Sequence, residues 1–199
     1  MLKVVIASGN RGKLREFEEI LEEKITPYFE ILGKFEIEEN GDSFAKNALI
    51  KARAIYEKLG DEYIVISDDS GISIDALGGK PGIYSARFAG VDASDKDNLN
   101  KAVNELKALN LETSKAHYTA AIAVVSKFGE YVIHGWMYGD VITTPRGDNG
   151  FGYDPIFIPD GFNKTLGELD NSVKKEISHR FKALNLTKPI VEMLRRYSE

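Results

Sequence analysis

The sequence contains no cysteine, so disulfides, thiolate metal sites and cysteine nucleophiles are all excluded. Histidine is nearly as scarce: His117, His134 and His179 lie far apart and show no metal-ligand spacing, which argues against zinc. No run approaches the ~18 apolar residues needed to cross a bilayer. The opening Met1-Leu2-Lys3-Val4-Val5-Ile6-Ala7-Ser8 also lacks the basic segment and long apolar core of a signal peptide. Together with the missing cysteine, this leads us to expect a cytoplasmic protein with no membrane partner. Positive charge is not in excess either. Against 26 Lys and Arg stand 31 Asp and Glu, and a formal net charge of −5 argues against a nucleic-acid binder. A small phosphate-bearing ligand or a Mg²⁺ complex remains compatible, because a few cations can be gathered in one pocket. There is no repeat, low-complexity tract or interdomain linker, so residues 1–199 are expected to form a single domain.

What the sequence does have is a short apolar strand, Tyr63 to Ile66, running into Ser67-Asp68-Asp69-Ser70-Gly71. Neighbouring side chains on extended chain point to opposite faces, so Asp68 and Asp69 should diverge, with one of them facing a ligand site at the strand's end. Open α/β sheets bind ligands beyond the carboxyl ends of their strands, and a hard cation such as Mg²⁺ takes oxygen ligands.

A second phosphate-compatible layout begins at the N-terminus. Leu2 to Ala7 reads as a buried strand, and Ser8-Gly9-Asn10-Arg11-Gly12-Lys13 as a loop. Leu14, Phe17, Ile20 and Leu21 then follow at helical spacing. Gly9 and Gly12 allow close backbone approach, a helix N-terminus favours an anion, and Lys13 adds a mobile positive charge. The glycine spacing and the Ser or Thr after Lys that define a P-loop are missing.

Further on, Tyr28 to Leu32 is compatible with a strand, and Asp42 or Ser43 with the cap of a long helix bearing Lys46, Lys51 and Arg53. For at least two of those three cations a solvated face is expected. Ile72 to Leu77 alternates weakly before a Gly78-Gly79 turn, and Arg87 offers a phosphate fork. Ser94 or Asp95 caps a third helix, running to about Leu109. His117 to Phe128 and Tyr131 to Tyr138 read as a hairpin joined at Gly129-Glu130. The turn-rich segment from Thr143 to Pro155, with two aromatics and several glycines, suits a ligand loop better than a core. A last helix opens near Val173, with Pro189 expected to interrupt or restart it.

Five separated pieces stand in order: Ser-Gly-Asn-x-x-Lys from 8, Asp-Asp-Ser-Gly from 68, Pro-Gly-Ile-Tyr-Ser-Ala-Arg from 81, Gly-Phe-Gly-Tyr-Asp-Pro from 150 and Ser-His-Arg from 178. Together they closely resemble the Ham1/ITPase family of pyrophosphatases acting on non-standard purine nucleoside triphosphates, in its bacterial branch, over nearly the whole chain. The resemblance implies an α/β fold with two lobes around a long mixed β-sheet and an active-site cleft between them. It implies Mg²⁺-dependent hydrolysis of ITP, dITP and XTP to the monophosphate and pyrophosphate by a homodimer. Carried over by position, Ser8, Gly9, Asn10, Arg11, Gly12 and Lys13 would hold the triphosphate. Asp69 would be the catalytic acidic residue and a metal ligand, followed by Ser70 at a substrate position. Either Glu38 or Glu39 falls where the family has its other metal carboxylate. Phe151, Gly152, Tyr153, Asp154, Lys174, His179 and Arg180 match nucleotide-binding positions. Competing readings are a Maf-type pyrophosphatase acting on standard or modified pyrimidine nucleotides, and a nucleotide sensor without turnover.

Overall fold

A computed structural model describes residues 2–22 and 24–197, with the backbone alone at Arg11 and Gly12. In chain order the elements are β1 (Lys3–Ile6), α1 (Arg11–Leu21), β2 (Thr26–Pro27), α2 (Phe29–Leu32), α3 (Phe44–Leu59), β3 (Tyr63–Ile74), α4 (Asp95–Ala108), β4 (Thr113–Ser126), β5 (Gly129–Ile142), β6 (Phe157–Pro159), α5 (Asn171–Ile177) and α6 (His179–Arg196). Short 3-10 turns cover Asp75–Leu77, Gly82–Arg87 and Asp154–Ile156. The strands form one six-stranded sheet in the order β2-β1-β3-β4-β5-β6. It is mixed, with β1 parallel to both β2 and β3, and β5 antiparallel to β6. Among the described residues no helix is long and apolar enough to cross a membrane.

The chain divides into two compact units, the first of residues 1–69, 120–135 and 180–199, the second of residues 70–119 and 136–179. In the first, strand alternation sorts the core. Ile6, Ile64, Ile66, Ile122 and Val124 face α1 and α6, packing on Phe17, Ile20, Leu184 and Leu194. Their odd-numbered neighbours Val5, Val65, Ala121, Ala123 and Val125 face α3, packing on Ala48, Ala52 and Ile55. The period of two along each strand therefore demands helices on both faces. The core of the second unit joins Ile72 and Ile74 of β3, the apolar stripe of α4 (Leu99, Ala102, Val103, Leu106), Tyr118 and Met137 of β4 and β5, and Tyr153, Ile156 and Phe157.

Local chemistry sets the helix starts. Ser43, not Asp42, caps α3, its hydroxyl accepting from the Lys46 N–H at 3.3 Å. Ser94 caps α4 in a capping box with Asp97. Elsewhere the structure corrects the sequence reading. Residues 29–32 form a single helical turn rather than a strand, closed by the Gly33 N–H on Phe29 C=O at 3.1 Å. A five-residue apolar run is too short for its period to choose between the two. Strand β3 does not end at the carboxylates but continues through them to Ile74. Turn-forming residues are held extended there because Ser67 Oγ donates to Ala48 C=O at 2.5 Å and Ser85 Oγ accepts from the Ile72 N–H at 2.9 Å. The hairpin turns at Lys127-Phe128, two residues before the expected position. The break in the last helical segment falls at Ser178, whose ψ of 147° is extended, and α6 runs through Pro189. Buried Leu184, Val191 and Leu194 hold the turns on either side of that proline.

Gly71 shows how tightly the strand is seated: a Cβ there would lie 2.4 Å from Ser85 Oγ and 2.6 Å from Gly82 C=O. Gly71→Ala is expected to destabilise the protein by about 1–3 kcal/mol, read as a lower urea midpoint with an unchanged slope.

Candidate active site

Because β3 stays extended through residues 68 and 69, its two carboxylates leave opposite faces of the first unit's sheet. Asp68 has the parity of Ile64 and Ile66 and turns toward α1 and α6. There its fully buried carboxylate pairs with Lys13 Nζ and, at 3.5 Å, with the Arg180 guanidinium. Arg180 also pairs with Glu16 of α1. Asp69 has the parity of Val65 and turns toward α3, where Lys51 Nζ lies 3.1 Å from its Oδ1 and 2.9 Å from Glu39 Oε2. Four carboxylates thus meet three cations, all carried on β3, α1, α3, α6 and the loop before α3.

The electrostatics follow from burial and neighbours. Burial alone would push the Asp68 carboxyl up, but the Arg180 and Lys13 charges outweigh it and hold it well below the usual carboxylate range. Lys13 goes the other way: burial lowers it despite Asp68, and Arg180 and Lys51 add like-charge repulsion. Burial raises Asp69, with Glu39 reinforcing and Lys51 opposing, so this carboxylate is biased toward holding a proton. Its Oδ2 is buried with no hydrogen-bond partner.

The turn before α1 is built by its own side chains. Asn10 Oδ1 accepts from the Lys13 N–H at 3.1 Å, making Asn10 the helix cap, and Ser8 Oγ accepts from the Asn10 N–H at 3.2 Å. Gly9 and Asn10 are exposed. The helix therefore starts inside the expected loop and carries Lys13 on its first turn.

A second set of groups lies in the second unit. Asp154 is buried at the end of the turn-rich loop, its Oδ2 receiving Lys174 Nζ at 2.6 Å and the Phe151 N–H at 3.3 Å. Burial raises its carboxyl, with Lys174 opposing. Tyr153 donates its hydroxyl to Ser85 C=O at 2.8 Å, and the Gly152 N–H donates to Asp95 Oδ2 at 3.1 Å. These bonds fix the loop while Phe151 stays 59% exposed. A Cβ on Gly150 would sit 2.0 Å from Asp154 Oδ2 and 2.1 Å from Lys174 Nζ, so only glycine leaves room for that pair. His179 stacks on the Tyr118 ring with centroids 4.8 Å apart.

Residues 4–190 match the sequence model of the Ham1 family. The chain belongs to that family. A dITP/XTP pyrophosphatase of Sulfurovum sp. is 60% identical to it, the match covering 98% of this chain and 95% of the relative. One from Sulfurimonas denitrificans is 55% identical over 97% of this chain and 100% of its own. The Ham1 protein of Coxiella burnetii superposes with a TM-score of 0.88 at 37% identity, covering 97% of this chain and 100% of its own. That of Staphylococcus aureus gives 0.86 at 37%, covering 96% and 98%.

Of the positions implied by the Ham1 resemblance, Lys13, Glu39, Asp69 and Arg180 fall into the first unit's charged cluster. Phe151, Gly152, Tyr153, Asp154, Lys174 and His179 belong to the second unit, as does half-buried Ser70, the residue after Asp69 on β3. Of the two adjacent glutamates, Glu39 reaches Lys51 and Glu38 is exposed. The backbone of Arg11 and Gly12 lies in α1, while the expected roles of the Arg11 side chain and of Gly12's surroundings lie outside what is described. The Arg87 guanidinium lies over the Tyr84 ring at 5.2 Å. Sequence reasoning missed Lys51, Glu16 and Tyr118. Lys46 and Arg53, the other two α3 cations considered from sequence, do form exposed pairs with Asp42 and Glu130. Of these three, Lys51 turns inward, its side chain 14% exposed.

Because the folded pKa of Asp68 is depressed, its ionised form contributes stability that is full above the ordinary carboxylate value and is lost progressively as pH falls from there through the depressed folded value. Asp68→Asn is therefore expected to lower the urea midpoint at neutral pH, with the gap to the parent narrowing below about pH 4. A gap of constant size down to acid pH would mean that the ion pairs contribute nothing.

Proposed function

We propose that this chain is a cytoplasmic, homodimeric, Mg²⁺-dependent pyrophosphatase that converts dITP, XTP and ITP to the nucleoside monophosphate and pyrophosphate. The observation that carries the reading is Asp69, a carboxylate with one buried oxygen left unpartnered and the other held by Lys51, which also holds Glu39. An orphaned buried oxygen is costly and marks a place where a ligand belongs. Asp69 and the Glu39 that shares Lys51 with it offer carboxylate oxygens, which suit a hard divalent cation. Among the described residues no three His, Asp or Glu are gathered as a ready-made metal site. That fits Mg²⁺, which is usually bound through one or two carboxylates with substrate phosphates and water filling the rest. Asp69 and Glu39 would hold it, and when bound it would neutralise phosphate oxygens against the attacking water.

The chain's own groups supply the other requirements. Asp69, with its carboxyl raised by burial, is suited to accept the proton of the water that attacks the α-phosphorus. The bond from that phosphorus to the bridging oxygen breaks, and pyrophosphate leaves with its electron pair. Lys13, with a charge that burial and like charges disfavour, gains from an arriving polyphosphate and balances the leaving group. Arg180 has its guanidinium nitrogens on Asp68 and Glu16, so we assign it to this phosphate-handling cluster. In the second unit the exposed Phe151 ring offers a purine a stacking face, and His179 and Lys174 offer donors. A 6-oxo group accepts from such donors, whereas the 6-amino group of adenine leaves them unpaired, a difference of a few kcal/mol.

Pyrophosphate release from ITP, dITP, XTP, GTP, ATP and the pyrimidine triphosphates, with Mg²⁺ and with chelator, tests the reading. The first three are expected to exceed ATP by at least ~100-fold in kcat/KM, with turnover abolished by chelation. Preference for pyrimidines would favour the Maf-type alternative, and tight binding without release a sensor. Asp69→Asn should fold and bind but lose at least ~100-fold in kcat, whereas Lys13→Ala should mainly raise KM. Light scattering should report twice the chain mass.

A further inference from the structure

The sequence offered no sign that Tyr118 belongs to the site, yet it touches two members of the second unit's set. It is buried on β4, its ring edge-on to Phe157 at 4.9 Å and stacked on His179 with an interplanar angle of 12°. Its hydroxyl donates to Asp154 Oδ1 at 3.5 Å, on the side of the carboxylate that Lys174 and the Phe151 N–H leave open. Burial, followed by the Asp154 charge, pushes the phenol well above its ordinary value, so it stays protonated and remains a donor. A phenylalanine would fill the same core space against Phe157. The hydroxyl adds a contact that orients a buried carboxylate instead of packing. The near-parallel stack covers one face of the imidazole and leaves its edge, where both nitrogens lie, uncovered by Tyr118. Such a stack fixes the plane in which the ring presents its donors.

We propose that Tyr118 is the positioning residue of the base-reading groups: its ring sets the plane of His179 and its hydroxyl sets the Asp154 carboxylate. The preference for 6-oxo over 6-amino purines then depends on a side chain that itself lies in the core. The inference rests on the pyrophosphatase reading above and adds to it the residue that holds the discriminating geometry. It separates two contributions, stacking and hydroxyl, that one pair of variants isolates.

Tyr118→Phe keeps the stack and loses the hydroxyl; Tyr118→Leu loses both. With dITP and dATP as paired substrates, Tyr118→Leu is expected to reduce the ratio of their kcat/KM values by at least about tenfold, mostly through KM for dITP. Tyr118→Phe should restore most of that ratio, staying within about threefold of the parent. An unchanged ratio in folded Tyr118→Leu overturns the proposal, as does a ratio in Tyr118→Phe as low as in Tyr118→Leu. Should the leucine variant not fold, the ring protons of His179, identified by their loss in His179→Gln, decide the matter in the parent protein. Upfield displacement by the Tyr118 ring current is required, and unshifted signals overturn the proposal. The parent protein's own preference for dITP is measured in the same assay. Its absence would sink the pyrophosphatase reading, whereas a normal preference unaffected by Tyr118 would sink only this one.

Discussion

Two adjacent carboxylates on one buried strand cannot share a partner, and the first unit is arranged around that constraint. The pleat of β3 sends Asp68 and Asp69 to opposite faces, so each must find its cation on a different helix layer. Asp68 is met from α1 and α6, Asp69 from α3. A buried carboxylate without such a partner would cost several kcal/mol, so the helix layers fixed by Ile64, Val65 and Ile66 must also deliver Lys13, Arg180 and Lys51 at the right height. Hydrophobic parity and charge pairing are the same alternation continued a few residues further along the strand.

The pairing is not complete, and the incompleteness is informative. Asp68 carries two cations, Lys13 and Arg180, on its Oδ2 and is held ionised. Asp69 has one oxygen on Lys51 and the other buried without a partner, and its carboxyl is pushed up rather than down. Two neighbouring aspartates thus acquire opposite electrostatic characters from their surroundings alone. One is an ionised counter-ion, the other a carboxyl with one buried oxygen left over, the feature on which its proposed role rests. Sites of this kind break the rule that buried polar groups are satisfied, and the surrounding core must carry the resulting loss.

In the second unit rigidity is reached by a different route. The loop from Thr143 to Pro155 has little apolar content of its own and is held by hydrogen bonds to fixed backbone. Arg146 N–H bonds Pro155 C=O at 2.8 Å, Asn149 N–H bonds Gly167 C=O at 2.9 Å, and Gly167 N–H bonds Asp154 C=O at 3.0 Å. Gly150 leaves space for the Asp154–Lys174 pair, and Tyr153 is tied to Ser85 in the Pro-Gly-Ile-Tyr-Ser-Ala-Arg segment. That segment, prominent in the sequence, anchors the turn-rich loop and the continuation of β3.

By itself the sequence determined the α/β character, helices opening at Asp42 or Ser43 and at Ser94 or Asp95, and the divergence of Asp68 from Asp69, because capping chemistry and strand parity are local properties. It also determined membership of the Ham1 family, through motifs that keep their order along the chain. Only the tertiary structure decided which cation serves which carboxylate. Lys46, Lys51 and Arg53 are equivalent in composition and share one helix, and only the packing of Ala48, Ala52 and Ile55 turns Lys51 toward Asp69. The same holds for Glu39 over Glu38 and for Tyr118 beneath His179, contacts between residues 12 and 61 positions apart in the chain or more. For the short run after Tyr28 and for the Asp-Asp-Ser-Gly segment, local propensity pointed the wrong way. Long-range hydrogen bonds and burial outweigh the few tenths of a kcal/mol by which one residue prefers turn, helix or strand.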